Sequence, residues 1–232
     1  MTNENTETRA NVGGAAVMDV AEEKREAAAA VTANTTPSDF EIKAQDVPEV
    51  FKKGRMEGPN AESTTHGTVR AVCMSKRKGT RKEVVNGPIH IVEQFGVEGD
   101  AHAGHWHRQV SLLAWESIEK ARARGLDVKE GDFAENVTTE GINLLALPLG
   151  TQVRIGDDVL LELSQQGKVC HKRCAIYYLA GDCIFPREGV FFVVLKGGDV
   201  KAGDSIDVVK EGDGTCAFTP TEALEELANT PR

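Results

Sequence analysis

The sequence TQVRIGDDVLLEL, residues 151–163, is the clearest indication of the fold class. Apolar and polar residues alternate on both sides of the central pair Gly156-Asp157, which is typical of a turn. The apolar positions are Val153, Ile155, Val159, Leu161 and Leu163. A period of two around a tight turn predicts a β-hairpin with one buried face.

Further short strands are predicted on either side of this hairpin. They are Thr68 to Ser75, two strands joined by an Asn86-Gly87 turn within Val84 to Val92, Val190 to Leu195 ending at Gly197-Gly198, and a strand containing Ile206 and Val208. A single helix stands out, from about Trp115 to Arg124, with Gly125 as its stop. Many short strands, glycine-rich turns and few helices predict a mainly β protein built as a closed or nearly closed barrel.

The two ends of the chain differ in composition from this central part. Residues 1–62 contain twelve acidic and seven basic residues and few aromatic ones, so they carry −5 of the total net charge of −9. We expect residues 1–62 to be a disordered, low-complexity tail, residues 63–211 to form the barrel domain, and residues 212–232 to be a C-terminal tail with at most a short helix from Thr221 to Ala228.

The bulk properties exclude several classes of protein. The net charge of −9 argues against a sequence-independent nucleic-acid binder. No apolar run approaches the roughly 18 to 20 residues of a membrane span, and the N-terminus lacks the order of a secretory signal, so we expect a cytoplasmic protein without a membrane partner. The sequence has five cysteines, and we expect no export signal. This combination favours free thiols that bind a metal or take part in catalysis over a framework of disulfides.

The first group of chemically active residues lies in GVEGDAHAGHWHRQVSLL, residues 96–113. It places Asp100, His102, His105, His107 and Arg108 within nine positions, next to an apolar strand. We interpret this stretch as one wall of a site for an anionic ligand, a metal ion or both. The three histidines either ligate a metal directly or hydrogen-bond a ligand or the backbone.

The second group is SQQGKVCHKRC, residues 164–174, which follows the hairpin directly. It places Cys170 at or near a strand end. The cations Lys168, His171, Lys172 and Arg173 surround this cysteine. Nearby cations favour the thiolate, which is both a nucleophile and a ligand for soft metals, and the same cations could hold a phosphate.

Two other interpretations of Cys170 stay open. It could be a small buried hydrophobic residue. It could also join Cys174, Cys183 and a histidine in a tetrahedral zinc site, although the Cys-x3-Cys-x8-Cys spacing lacks the paired knuckles of most structural zinc sites.

The third group is GDFAENVTTEG, residues 131–141. Its asparagine and threonines are good donors to a phosphate or a polar heterocycle, and Glu135 could hold a cation such as Arg108 in place. The alternative is a polar turn that caps barrel strands. Arg187 and Glu188 are weaker candidates for the rim of the site.

Taken in this order, the groups resemble the MOSC domain, which is found at the C-terminus of molybdenum-cofactor sulfurases and in small stand-alone bacterial proteins. The resemblance covers about residues 66–210. It rests on Gly99-Asp100-x-His102-Ala103-Gly104, on Phe133-x-Glu135-Asn136-Val137-Thr138-Thr139-Glu140-Gly141, on Leu149-Gly150-x5-Gly156, and on Ser164-Gln165 with Cys170 six residues after the serine.

The resemblance implies a β-barrel that binds the pterin-based molybdenum cofactor. It implies that Cys170 ligates molybdenum or carries sulfur, and that the cofactor contacts come from Asp100, His102, Arg108, Glu135, Asn136 and Thr138. Lys168 and His171 suit the phosphate of this cofactor. Many family members have Pro-Arg-x-Pro-Cys before the cysteine; here the run is Gln166-Gly167-Lys168-Val169-Cys170, so Lys168 replaces the missing arginine only in part.

Three functions follow as alternatives. The first is cofactor sulfuration or sulfur carriage, with a persulfide on Cys170. The second is a cofactor-dependent reductase of small N-hydroxylated compounds. The third is a zinc-stabilised, non-catalytic barrel. The first two imply the molybdenum cofactor as a partner, together with an electron-donor or cofactor-biosynthesis protein.

Overall fold

β-Strands dominate the computed structural model, which describes residues 55–170 and 175–229. Most of the tail predicted for residues 1–62 lies outside these ranges. The strands are β1 (His66–Met74), β2 (Glu83–Val84), β3 (Ile89–Val92), β4 (Gly96–Val97), β5 (Val110–Ala114), β6 (Val137–Glu140), β7 (Gln152–Ile155), β8 (Val159–Gln166), β9 (Val190–Lys196), β10 (Gly198–Val200) and β11 (Ser205–Lys210). The helices are α1 (Trp115–Arg122), α2 (Ala175–Ala180), α3 (Phe185–Glu188) and α4 (Thr221–Ala228), with a 3₁₀ turn at Leu144–Ala146.

Seven of these strands form a closed barrel in the order β11-β7-β8-β9-β5-β6-β1. The barrel closes because β1 pairs with both β6 and β11, for example through Gly67 opposite Ile206. All neighbouring pairs are antiparallel except β5 and β6, and the crossover between these two contains α1. The predicted mainly β barrel is confirmed. A small sheet of β10, β3 and β4 flanks it.

The hairpin at residues 151–163 is also confirmed. β7 and β8 pair antiparallel, with Ile155 opposite Val159 and Gly156 in the turn at a φ of 58°. All five apolar side chains of the alternating pattern are fully buried in the barrel core.

The chain bends at the predicted Asn86-Gly87 position, but the expected hairpin around it is wrong. β2 pairs with β1, whereas β3 pairs with β10 and β4. Gly87 has a φ of 129°, which lies outside the left-handed helical values that a two-residue hairpin turn requires. The Asn-Gly pair thus marks a bend of the chain but does not determine the partners of the strands that flank it.

The helix predicted for Trp115 to Arg124 is observed as Trp115–Arg122. The short helix predicted for Thr221 to Ala228 is observed with those bounds. Within the described ranges, no helix combines the length and the hydrophobicity that crossing a bilayer requires.

β9 separates two apolar cores. Val190, Phe192 and Val194 point into the barrel, whereas Phe191 points outward into a second cluster with the helices α1, α2 and α3. Met56 is buried in this second cluster, although the predicted boundary assigns it to the N-terminal tail. The folded unit therefore begins before residue 63.

The segment after β11 packs along the barrel before it enters α4. The Gly212 amide donates to Thr151 Oγ1 at 3.1 Å, and the Gly214 amide donates to the Leu149 carbonyl at 3.1 Å. The Thr219 hydroxyl donates to the Ser164 carbonyl on β8. These bonds place residues 212–220 against the strand that leads to Cys170.

We expect Gly67→Ala to lower the free energy of unfolding by about 1–3 kcal/mol. A methyl group there would lie 2.6 Å from the Glu140 carbonyl oxygen, at the strand that closes the barrel. Gly104→Ala is the matched control, because its nearest neighbour would be 3.8 Å away. Urea unfolding of both variants measures the difference; equal stabilities would contradict the close approach at Gly67.

Candidate functional site

Asp100 anchors the loop that carries the first group of predicted residues. Its Oδ2 accepts a hydrogen bond from Lys82 Nζ at 2.6 Å and another from the Ser75 amide at 3.0 Å. Its Oδ1 accepts from the His102 amide at 2.9 Å, with the His102 ring 3.5 Å away. Burial alone would raise the pKa of Asp100, but His102, Lys82 and Ser75 outweigh it and hold the pKa well below its usual range. Asp100 is thus ionised and paired.

The partner, Lys82, was not predicted from the sequence. Its side chain is 1% exposed, and burial lowers its pKa even though Asp100 counteracts that effect. It lies in KRKGTRK, residues 76–82, a run whose composition is typical of a solvated loop. Nothing in that run distinguishes the buried lysine from its exposed neighbours.

Glu135 is fully buried and belongs to the barrel framework. Its Oε1 accepts from the Gly131 amide at 2.7 Å and from Thr138 Oγ1 at 2.9 Å, while Oε2 is buried without a hydrogen bond from any described residue. Burial raises the pKa of Glu135. The suggested contact between Glu135 and Arg108 is therefore not formed.

Asn136 joins three barrel strands. Its Oδ1 accepts from Ser111 Oγ at 3.0 Å, and its Nδ2 donates to the Cys73 carbonyl at 3.3 Å. The buried Asn136 side chain thereby links β1 and β5 to the start of β6, whereas the buried Thr138 hydroxyl bonds Glu135 within its own segment. A direct contact of these residues or Glu135 with a ligand stays a prediction.

An open pocket of about 380 Å³ lies beside the loop that Asp100 anchors. It is lined by Gln94, His105, Trp106, His107, Gln109, Phe218 and Pro220. His107 connects this pocket to β8, since its Nε2 lies 2.7 Å from Gln165 Oε1. Burial first, and Arg108 in addition, lower the pKa of His107, so its ring is neutral at neutral pH. The sequence patterns did not single out Phe218 and Pro220, because they follow the barrel in an uncommitted segment.

A row of cations and aromatic rings leads from this pocket toward Cys170. The Arg108 guanidinium lies 4.6 Å from the Trp106 ring and 5.6 Å from the Phe191 ring. Phe191 packs edge-on against Phe185, and Lys168 Nζ lies 4.8 Å from the Phe185 ring. The structure thus brings Arg108 and Lys168 to the same pair of rings, although they are sixty positions apart in the sequence.

Cys170 is exposed and ends the first described range. Gln165 Nε2 holds the Gly167 carbonyl at 2.7 Å, and Cys170 lies three residues further on. Because three residues span at most about 11 Å, the Cα atoms of Gly167 and Cys170 lie within that distance of each other. His171 and Cys174 lie outside the described residues, whereas Cys183 is buried in the second apolar cluster. The alternative of a buried Cys170 is wrong.

The metal-site alternatives receive no support from the described part of the chain. No three His, Cys, Asp or Glu side chains gather there as metal ligands, so His102, His105 and His107 do not form a site together.

The two residues considered for the rim of the site form ion pairs. Arg187 binds Asp182 through two nitrogens, each at 2.7 Å, and Glu188 accepts from Lys120 at 2.8 Å. These two rim candidates are therefore occupied in ion pairs.

Comparison with known families identifies the barrel. The family model described as the MOSC domain matches residues 99–207, from the anchored loop to β11. The chain contains a MOSC domain. Proteins of the MOSC family bind the molybdenum cofactor. The match leaves out β1, which closes the barrel, and it includes Cys170 and both cations of the row.

Solved structures show the same fold. The YuaD protein from Bacillus subtilis is 16% identical, with a TM-score of 0.52 and an alignment that covers 62% of this chain and 96% of that one. YiiM from Geobacillus stearothermophilus is 19% identical, with a TM-score of 0.50 and coverage of 66% and 80%. No curated protein matches the MOSC chain.

The donor set around Cys170 fits a phosphorylated metal cofactor. It combines an exposed thiol, a soft ligand, with the cations Arg108 and Lys168, which suit a phosphate. The backbone also approaches closely at Gly167, where a methyl group would lie 2.5 Å from the Pro186 carbonyl oxygen and the φ is 69°. That glycine fixes the direction in which the chain continues to Cys170.

We expect Asp100→Asn and Lys82→Met each to lower the free energy of unfolding at pH 7 by about 3–5 kcal/mol, because each leaves a buried group without its charged partner. The double variant should recover a large part of this loss. Urea unfolding of the two single variants and the double variant measures the coupling. Additive losses would contradict the buried pair.

The free energy of unfolding of the wild type should also fall at acidic pH. Because the pKa of Asp100 is lower in the folded chain than in the unfolded one, its contribution is full above the unfolded value of about 3.9 and is lost as the pH falls below it. The stability difference between the wild type and Asp100→Asn should therefore shrink between pH 5 and pH 3. A difference that does not change with pH would contradict the depressed pKa.

Proposed function

We propose that this MOSC protein binds the molybdenum cofactor with Cys170 as a thiolate ligand of the metal. The observation that carries the proposal is the position of Cys170. It is exposed, it follows the cation Lys168 by two residues, and it lies four residues after β8, the strand whose Gln165 contacts the pocket residue His107. Nearby cations favour the thiolate form that a soft metal requires.

Arg108 and Lys168 supply the charge for the phosphate of the cofactor. Arg108 lies over the Phe191 ring and Lys168 over the Phe185 ring, which reduces the conformational freedom of both side chains. Together the two cations would neutralise the charge of a phosphate. Lys168 occupies the part of the motif in which many family members have an arginine. It therefore contributes a compact ammonium charge where those proteins have a planar guanidinium with several donors.

The buried residues of the motifs position this surface. Asp100 holds the start of the loop that ends at Arg108, and Asn136 holds β5, on which that loop continues. When bound, the molybdenum centre would supply the oxidation–reduction or sulfur chemistry, and the protein would supply binding and orientation. The proposal includes a cytoplasmic location and, as a partner, an electron-donor or cofactor-biosynthesis protein.

We expect Cys170→Ser to lower the molybdenum content of protein purified from a cofactor-competent host at least tenfold, because the hydroxyl is a poor ligand for a soft metal. Metal analysis and the fluorescence of the oxidised pterin measure metal and organic moiety separately. Cys216→Ser is the matched control, because the Cys216 thiol bonds Glu162 at 3.3 Å, away from the row of cations. Unchanged molybdenum in Cys170→Ser would overturn the assignment of the ligand.

Lys168→Gln tests the phosphate contact independently of the metal ligand. We expect the affinity for the cofactor to fall about tenfold, as the loss of a charged hydrogen bond predicts. Lys196→Gln is the matched control, because Lys196 pairs with Asp158 on the surface at the far end of β9. Equal cofactor occupancy in the two variants would contradict a phosphate site at Lys168.

A further inference from the structure

The loop between β1 and β2 carries cations that the proposed molybdenum site does not use. Its sequence is KRKGTRK, residues 76–82. Arg81 pairs with Asp132 at 3.0 Å, and Lys82 pairs with Asp100 at 2.6 Å. The other three cations are exposed and form no ion pair with a described residue; they are Lys76, Arg77 and Lys78. A chain with a net charge of −9 therefore displays a local cluster of positive charge here.

The two ends of this loop are fixed, whereas its middle projects into solvent. At one end the Ser75 carbonyl accepts from the Ala101 amide at 2.8 Å, and at the other the Lys82 amide donates to the Gly131 carbonyl at 2.8 Å. The five residues after Ser75 are all exposed, and a methyl group on Gly79 would meet no atom within 4 Å. An enzyme that acts on this segment can therefore reach it while the barrel stays folded.

Thr80 presents a hydroxyl group in the exposed part of the loop. Its Oγ1 donates to the Arg77 carbonyl at 2.9 Å and lies 2.9 Å from Ser75 Oγ. Both partners belong to the same loop. Transfer of a group to this oxygen therefore breaks these two local bonds and leaves the contacts between the barrel strands in place.

The residues before Thr80 have the charge pattern of a kinase substrate. Kinases that select basic substrates bind cations two and three positions before the acceptor hydroxyl through complementary acidic side chains. Here Lys78 and Arg77 stand at those two positions. Of the serines and threonines in the sequence, one other has an arginine three positions before it, namely Ser111 after Arg108. Ser111 is buried in β5, so Thr80 alone combines this arginine with an exposed hydroxyl.

We propose that Thr80 is a phosphorylation site for a serine/threonine protein kinase that selects basic substrates. Thr80 Oγ1 attacks the γ-phosphorus of ATP, the bond from this phosphorus to the bridging oxygen breaks, and ADP leaves. The hydroxyl proton passes to the catalytic aspartate of the kinase.

The modification would change the charge of the loop. A phosphate on Thr80 carries about −2 at neutral pH, so it would offset most of the charge of the three exposed cations. Arg77 and Lys78 are close enough in sequence to donate to it. The altered loop begins at Ser75, whose amide bonds the Asp100 carboxylate at 3.0 Å. The inference does not depend on the binding of molybdenum.

Incubation of the full-length protein with Mg-ATP and the catalytic subunit of cAMP-dependent protein kinase tests the proposal. Mass spectrometry of the intact protein and of its peptides measures the amount of phosphate and its position. We expect about one phosphate per chain, on Thr80. Thr80→Ala should lose this phosphate, and Thr80→Ser should keep it, because serine retains an acceptor hydroxyl at the same position.

Arg77→Gln tests how the site is recognised. We expect the rate of phosphorylation to fall about tenfold, as the loss of a charge-assisted contact to the kinase predicts. Arg154→Gln is the matched control, because Arg154 is exposed on β7, outside the loop, and it should be modified as fast as the wild type. No phosphate on the wild type, a phosphate on Ser111 in place of Thr80, an unchanged amount in Thr80→Ala, or a wild-type rate for Arg77→Gln would each overturn the proposal.

Discussion

The buried ion pair between Lys82 and Asp100 is the constraint on which the site depends. Both side chains are at most 2% exposed, so the pair stabilises the fold little beyond what an apolar pair would provide. The importance of the pair is that it fixes the position of the loop that begins at Asp100. The Asp100 carboxylate fixes the start of the loop, because it binds Lys82 and also the Ser75 amide at the end of β1. The residues from His105 to Arg108 follow within eight positions. The backbone of this loop is then fixed again at Gly104, whose amide donates to the Phe95 carbonyl at 2.8 Å.

The barrel turns this local constraint into a site by bringing two distant segments together. β5 and β8 both pair with β9 and therefore lie on its two sides, and side chains at the end of β8 reach across to the loop before β5. The Ser164 hydroxyl donates to the His107 carbonyl, and the Gln165 side chain contacts the His107 ring. The thiol of Cys170, the two cations and the aromatic pocket therefore belong to one region, even though more than fifty residues separate the segments in sequence.

The sequence predicted those features that depend on local patterns. The alternation around Gly156 identified the hairpin, and the spacing of short strands identified the barrel. Features that depend on long-range contacts were missed. Lys82 looks like its solvated neighbours until Asp100 is placed against it, and Phe218 acquires a role only because residues 212–220 return to β8. The motif residues Glu135 and Asn136 show a third case, since the sequence did not predict their bonds inside the barrel: Asn136 bonds Ser111 on β5, and Glu135 bonds the Gly131 amide of its own segment. Their direct contact with a ligand stays a prediction.

In the proposed site the Cys170 sulfur is a ligand of molybdenum. X-ray absorption at the molybdenum K-edge can detect this bond, in the wild type and in Cys170→Ser reconstituted with the cofactor at high concentration. We expect one sulfur neighbour of the metal in the wild type to be replaced by oxygen in the variant, with the remaining sulfur neighbours unchanged. Identical sulfur shells in the two proteins would contradict it, because the metal would then be held without the Cys170 thiolate.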